Sequence, residues 1–88
     1  MLTTRIVEFT LRAGGAGTEA EARDEKILVR MWTLFGRVHL GSNRPYARYR
    51  QLCREVLIGE LGWAELYRDG RRLGGCKWEG STFAKDQG

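Results

Sequence analysis

Residues 5–12, RIVEFTLR, alternate in character: Val7, Phe9 and Leu11 fall on one side, and Ile6, Glu8, Thr10 and Arg12 on the other. A period of two carried by β-branched and aromatic residues predicts a half-buried strand. The run AGGAG at 13–17 then breaks the pattern. Thr18-Glu19-Ala20-Glu21 has the form of a capping box, in which the Thr hydroxyl accepts from a first-turn N–H and Glu21 reaches back. At 100° per residue, Ala20, Ile27, Met31, Leu34, Phe35 and Val38 share one broad face, with Leu28 and Trp32 at its edge. This spacing predicts a first helix that Gly36 ends or frays.

Gly41-Ser42-Asn43-Arg44-Pro45 reads as a turn and a second helix start, with Ser42 or Asn43 as cap and proline in the first turn. That helix is expected to run to about Leu61, burying Tyr49, Leu52, Cys53 and Val56, with Gly62 to terminate it. Residues 63–67, WAELY, predict a strand. Asp69-Gly70 then suits a type I′ hairpin turn, because both positions tolerate φ > 0. The return strand covers residues 71 to about 78, with a bulge expected at Gly74-Gly75. The expectation is an α+β fold of order β-α-α-β-β: a three-stranded antiparallel sheet with two helices packed on one face. Residues 1–79 would form a single small domain, and 80–88 a polar, flexible tail.

Composition narrows the picture. In 88 residues, 42% hydrophobic and 30% charged, a folded domain with a thin core is expected rather than a disordered chain. No apolar run approaches the roughly 20 residues of a membrane helix, which predicts no membrane partner. The N-terminus lacks a basic region followed by an apolar stretch, so no signal peptide and a cytoplasmic location are expected. Cys53 and Cys76 match no zinc spacing and read as two reduced structural cysteines, with a disulfide as the other reading.

Candidate chemistry is mostly excluded by what surrounds it. Gly15-Ala16-Gly17-Thr18-Glu19-Ala20 has the form of a dinucleotide loop, but Glu19 and Glu21 would repel a pyrophosphate and the chain is too short for that fold. His39 is the only histidine and Ser42 its nearest serine, better explained by turn chemistry than by a catalytic triad. Glu21, Asp24 and Glu25 read as a solvated flank. The expectation is a non-enzyme without cofactor or metal.

What remains is charge. Fifteen Lys and Arg, most of them Arg, face eleven Asp and Glu, for a net charge of +4. From Arg37 to Arg54 there are five arginines and no acid, with Tyr46 and Tyr49 interleaved. On the second helix, Arg50 and Arg54 stand one turn apart, and so do Arg44 and Arg48. On the first helix, Arg23, Lys26, Arg30 and Arg37 would project within about 60° of one another. Arg71 adds a basic hairpin tip. Guanidinium groups bind phosphates bidentately, and tyrosines can stack on unpaired bases, so these ten residues with Tyr46 among them form the candidate site.

The function expected is a small binding module with an arginine-rich surface, acting on nucleic acid as a binder or regulator. The alternative is a protein-binding inhibitor or adaptor of phage or mobile-element type, docking on an acidic or nucleic-acid-associated protein of the host machinery. An RNA-cleaving toxin is a remote third. A strand followed by two helices is similar to ribbon–helix–helix repressors, but the first helix is too long and Glu8 on the polar strand face would oppose DNA. The full order is similar to ribosome-dependent RNA-cleaving toxins in layout only, since no motif carries that comparison and the C-terminal sheet is too short. A homodimer paired through the first strand stays open.

Overall fold

The computed structural model describes residues 2–15, 22–79 and 82–86. It is a mostly-β structure, curled into a half-barrel with one helix. The strands are β1 (Leu2–Gly14), β2 (Arg23–Leu34), β3 (Arg37–Leu40), β4 (Trp63–Arg68), β5 (Arg71–Glu79) and β6 (Thr82–Asp86), and the helix α1 is Arg44–Leu57. They form one sheet in the order β3-β2-β1-β4-β5-β6, every neighbouring pair antiparallel. The segment read as a tail thus contributes β6.

The expected first helix is where the α+β reading fails. Residues 23–34 form β2, paired along their length with β1 from Leu2↔Leu34 to Ala13↔Arg23. Ile27 and Val29 are buried against the core while Leu28 is 66% exposed, an alternation no helix produces. Gly36 is not a helix cap. Phe35 (φ 51°) and Gly36 (φ 74°) are the two left-handed residues of a hairpin turn joining β2 to β3. The Thr18–Glu21 capping box and most of the glycine loop lie outside the described residues.

Other elements form as the sequence implies. β1 extends the expected strand at both ends and buries Val7, Phe9, Leu11 and Ala13. The helix buries Tyr49, Leu52, Cys53 and Val56, together with Pro45. Ser42 Oγ accepts the Arg44 N–H at 3.0 Å, serving the orphan donors of the first turn in place of Asn43. The helix stops at Leu57, four residues before Leu61, and Gly59 (φ 85°) leads the chain away from it. Asp69 (φ 47°) and Gly70 (φ 83°) make the expected hairpin turn. The bulge in β5 falls at Leu73, since Leu66 faces Gly74 and Tyr67 faces Arg72.

The core lies between α1 and the face of the sheet on which it packs, here the inner face. Phe9, Leu11, Val7 and Val56 are fully buried, each contributing about 1.5–3 kcal/mol by removal from water. Tyr46 meets Phe9 edge-on at 5.4 Å between centroids. The Sγ atoms of Cys53 and Cys76 sit in this core 2.6 Å apart, linking α1 to β5 by contact.

The helix rests on β1, β4 and β5 and leaves one end of the sheet uncovered. There the first half of β1 runs on with β2 and β3 as a three-stranded arm. Residues 2–6 are all exposed, as are residues 34–39. The longest dimension reaches 50 Å and the radius of gyration 14.8 Å, against about 12 Å for a compact chain of this length.

Candidate functional site

Strand register decides which cations can act together. In β2, Lys26, Arg30 and Trp32 point to the outer face, away from α1, since Ile27 and Val29 point inward. In β3, Arg37 lies opposite Leu34 and His39 opposite Trp32, on that same outer face. Trp32 and His39 stack with ring centroids 5.6 Å apart and planes 17° from parallel. Gly41 allows this arrangement: a Cβ there would lie 3.5 Å from the Trp32 ring and 3.3 Å from the Arg30 carbonyl oxygen. The Gly41 N–H donates to that carbonyl at 2.8 Å, which holds β3 beside Arg30.

The outer face divides in two by charge pairing. Over the body of the sheet, cations are matched: Arg12 with Asp24 at 3.0 Å, Lys26 with Glu8 at 3.7 Å and Arg72 with Glu65 at 3.2 Å. Toward the arm, Arg30 and Arg37 make no ion pair among the described residues. They flank the Trp32–His39 stack on either side. The arm therefore carries half-buried Trp32 stacked on exposed His39, between two guanidinium groups that make no ion pair among the described residues.

The helix carries a second basic surface. Arg44, Arg50 and Arg54 are exposed on its solvent side and make no ion pair among the described residues. This surface lies across the sheet from Arg30 and Arg37, so the two arginine rows read from the sequence do not merge. The first row is also dissolved by the strand geometry. Arg23 points inward at the start of β2, opposite in direction to Lys26 and Arg30. Arg71 stands apart at the β4–β5 turn.

Three of the candidate residues are engaged elsewhere, Lys26 with Glu8. Arg48 Nε binds Glu25 Oε1 at 3.1 Å, and its Nη1 lies 3.9 Å from Glu55 Oε2, so two carboxylates neutralise it. Tyr46 packs its ring on Phe9 rather than presenting it to solvent. Sequence reasoning missed Trp32 and His39. The signal was available: only a period of two puts Trp32, Arg30 and Lys26 on one side while Ile27, Val29 and Met31 take the other.

A cavity of about 660 Å³ lies between helix and sheet, lined by apolar Leu11, Ala13 and Leu52 and by Arg23, Arg48, Glu25 and Glu55. Arg48 pairs there with Glu25 and Glu55, while Arg23 makes no ion pair among the described residues. No group of three potential metal-ligating side chains occurs among the described residues. His39 is stacked and Ser42 caps α1, so the two do not form a nucleophile–base pair. No helix among the described residues is long and apolar enough to cross a membrane. No family model, curated protein or solved structure matches the chain.

Proposed function

We propose that the protein is a small non-enzymatic module that binds single-stranded nucleic acid on the outer face of its β1–β2–β3 arm. The observation that carries this reading is the stack of half-buried Trp32 on exposed His39 between Arg30 and Arg37. Unpaired bases stack on aromatic faces whatever their identity, while guanidinium groups engage the flanking phosphates. Duplex DNA hides its base faces and gains only the phosphate contacts. The net charge of +4 favours the approach of a polyanion.

The test is a titration of the protein with fluorescent random-sequence single strands and duplexes at several salt concentrations. Single strands should bind more tightly than duplex, and log K should fall linearly with log salt. Trp32→Ala should weaken single-strand binding by about 1–3 kcal/mol, roughly fivefold to a hundredfold, with little effect on duplex. If no nucleic acid binds at low salt, the reading fails.

A protein-binding adaptor is the second reading. It draws on apolar side chains left in solvent: Leu2, Ile6, Leu28, Phe35 and Val38 on the arm, and Leu57 and Ile58 where α1 ends.

A further inference from the structure

The first half of β1 has an unfinished edge. β4 pairs with β1 only from Phe9 to Gly14, and the Asp69 turn takes the next position. The Asp69 N–H donates to the Glu8 carbonyl at 2.7 Å, and the Glu8 N–H donates to Asp69 Oδ1 at 2.9 Å. Both backbone groups of Glu8 therefore face the β4 side. In an antiparallel strand alternate residues aim their N–H and C=O the same way, so Ile6, Thr4 and Leu2 present theirs on that side too. Among the described residues no strand meets them. Their neighbours Thr3, Arg5 and Val7 pair with Thr33, Met31 and Val29 of β2.

Exposed edges are ordinarily guarded by charge, and the contrast within this sheet is informative. The open edge of β2 carries Asp24 and Lys26 beside Leu28, before the Arg30 carbonyl meets the Gly41 N–H. Residues 2–6 offer Leu, Thr, Thr, Arg and Ile, with Leu2 57% and Ile6 55% exposed on the outer face. This stretch is complementary to itself. Laid antiparallel about a two-fold axis at Thr4, Thr4 faces the partner's Thr4, Leu2 faces the partner's Ile6, and Arg5 faces the partner's Thr3. The residues that meet in hydrogen-bonded pairs are those whose N–H and C=O groups point outward. Apolar meets apolar, no like charges oppose, and the partner's Leu2 reaches only Ile6, short of the Asp69 turn.

We propose that a second copy of this chain fills the edge, joining two sheets through antiparallel β1 strands in an isologous dimer. The join brings the arms' outer faces side by side but does not depend on what those faces bind. A five-residue strand is a short interface, so the dimer is concentration-dependent.

Sedimentation equilibrium up to the concentrations of an NMR sample reads the assembly, and amide hydrogen exchange reads the edge. The wild-type mass should rise toward twice the 10.0 kDa chain. The Thr4 and Ile6 amides should gain protection as concentration rises. Thr4→Pro removes an N–H that points away from β2, so the fold should survive, by circular dichroism, while dimerisation is lost. Thr4→Asp and Thr4→Lys place like charges across the axis and should each be monomeric, whereas an equal mixture of the two should dimerise. A wild-type protein that stays monomeric throughout overturns the proposal. So does a dimer that Thr4→Pro leaves intact, since that would place the interface elsewhere.

Discussion

Phe35 holds a left-handed backbone, φ 51°, and leaves its ring 85% exposed at the tip of the β2–β3 hairpin. Asparagine suits this turn position far better, because its short polar side chain tolerates φ > 0. Phe35→Asn should therefore raise stability by about 0.5–1 kcal/mol, read as a higher urea midpoint with an unchanged slope. Gly36→Ala should do the reverse, costing about 1–2 kcal/mol at φ 74° although nothing lies within 4 Å of the new methyl group. Residues that break a local rule mark positions held for another purpose, and an exposed ring beside Arg37 fits a binding tip. Asp69 does two jobs at the other hairpin. Its carboxylate accepts the Glu8 N–H and meets Arg5 at 3.2 Å, and these hold its pKa below the ordinary carboxylate value. A depressed carboxylate pKa stabilises the fold above the unfolded value, near 3.9, and that contribution is lost as pH falls through the folded value. Asp69→Asn keeps the turn and the acceptor for Glu8 but not the charge. Its thermal midpoint should fall below wild type at neutral pH, and the gap should close in acid. Asp69→Ala, which also loses the acceptor and the φ > 0 tolerance, should be the least stable of the three at neutral pH.

The behaviour of β2 tests the architecture at the level of the element. Val29 is 3% exposed and Leu28 66% exposed, although they are neighbours. Val29→Asp buries a polar group opposite Val7 in the core and should cost roughly 2–7 kcal/mol, enough to unfold a domain of this size. Leu28→Asp should change stability by no more than about 0.5 kcal/mol. Chemical denaturation of the two variants separates strand from helix, because a helix with Ile27 and Met31 on its core face places Leu28 nearer that core than Val29. This segment also shows why the sequence was read correctly in some places and not in others. The helix α1, the hairpin at Asp69-Gly70 and the alternation in β1 carry their signals within a few residues of one another. Residues 27–38 satisfy two periods at once: Ile27, Met31, Leu34, Phe35 and Val38 at helical spacing, Ile27, Val29 and Met31 at strand spacing. What settles the choice is the pairing with β1 from Ala13↔Arg23 to Leu2↔Leu34. That ladder is non-local and leaves no mark in a short window. The candidate site inherits the same ambiguity. Arg30 and Arg37 were visible as arginines, but their partnership with Trp32 and His39 exists only in the strand register.

At the scale of the whole molecule, a basic protein with two separated arginine surfaces poses a choice that net charge cannot make. Lowering the charge anywhere weakens attraction for a polyanion, so a single charge-reversal variant confounds contact with long-range field. Two matched double variants remove the ambiguity. Arg30→Glu with Arg37→Glu alters the arm, and Arg50→Glu with Arg54→Glu alters the solvent side of α1. Each replaces two positive charges with two negative ones, taking the net charge from +4 to zero. The long-range loss is then common to both, and any difference between them is local. If the strand lies on the arm, the arm variant should lose more affinity and more of the salt dependence, about one unit of log–log slope for each phosphate contact removed. The helix variant should keep the preference for single strands over duplex, because the Trp32–His39 stack is untouched. All four arginines are exposed, so both variants should melt close to wild type. The reverse order, with the helix variant the weaker binder, would move the phosphate site to α1. The aromatic pair would then be left as packing that steadies β3 on β2. Equal losses would mean that the anion is held by the field of the molecule as a whole and that neither surface is a site.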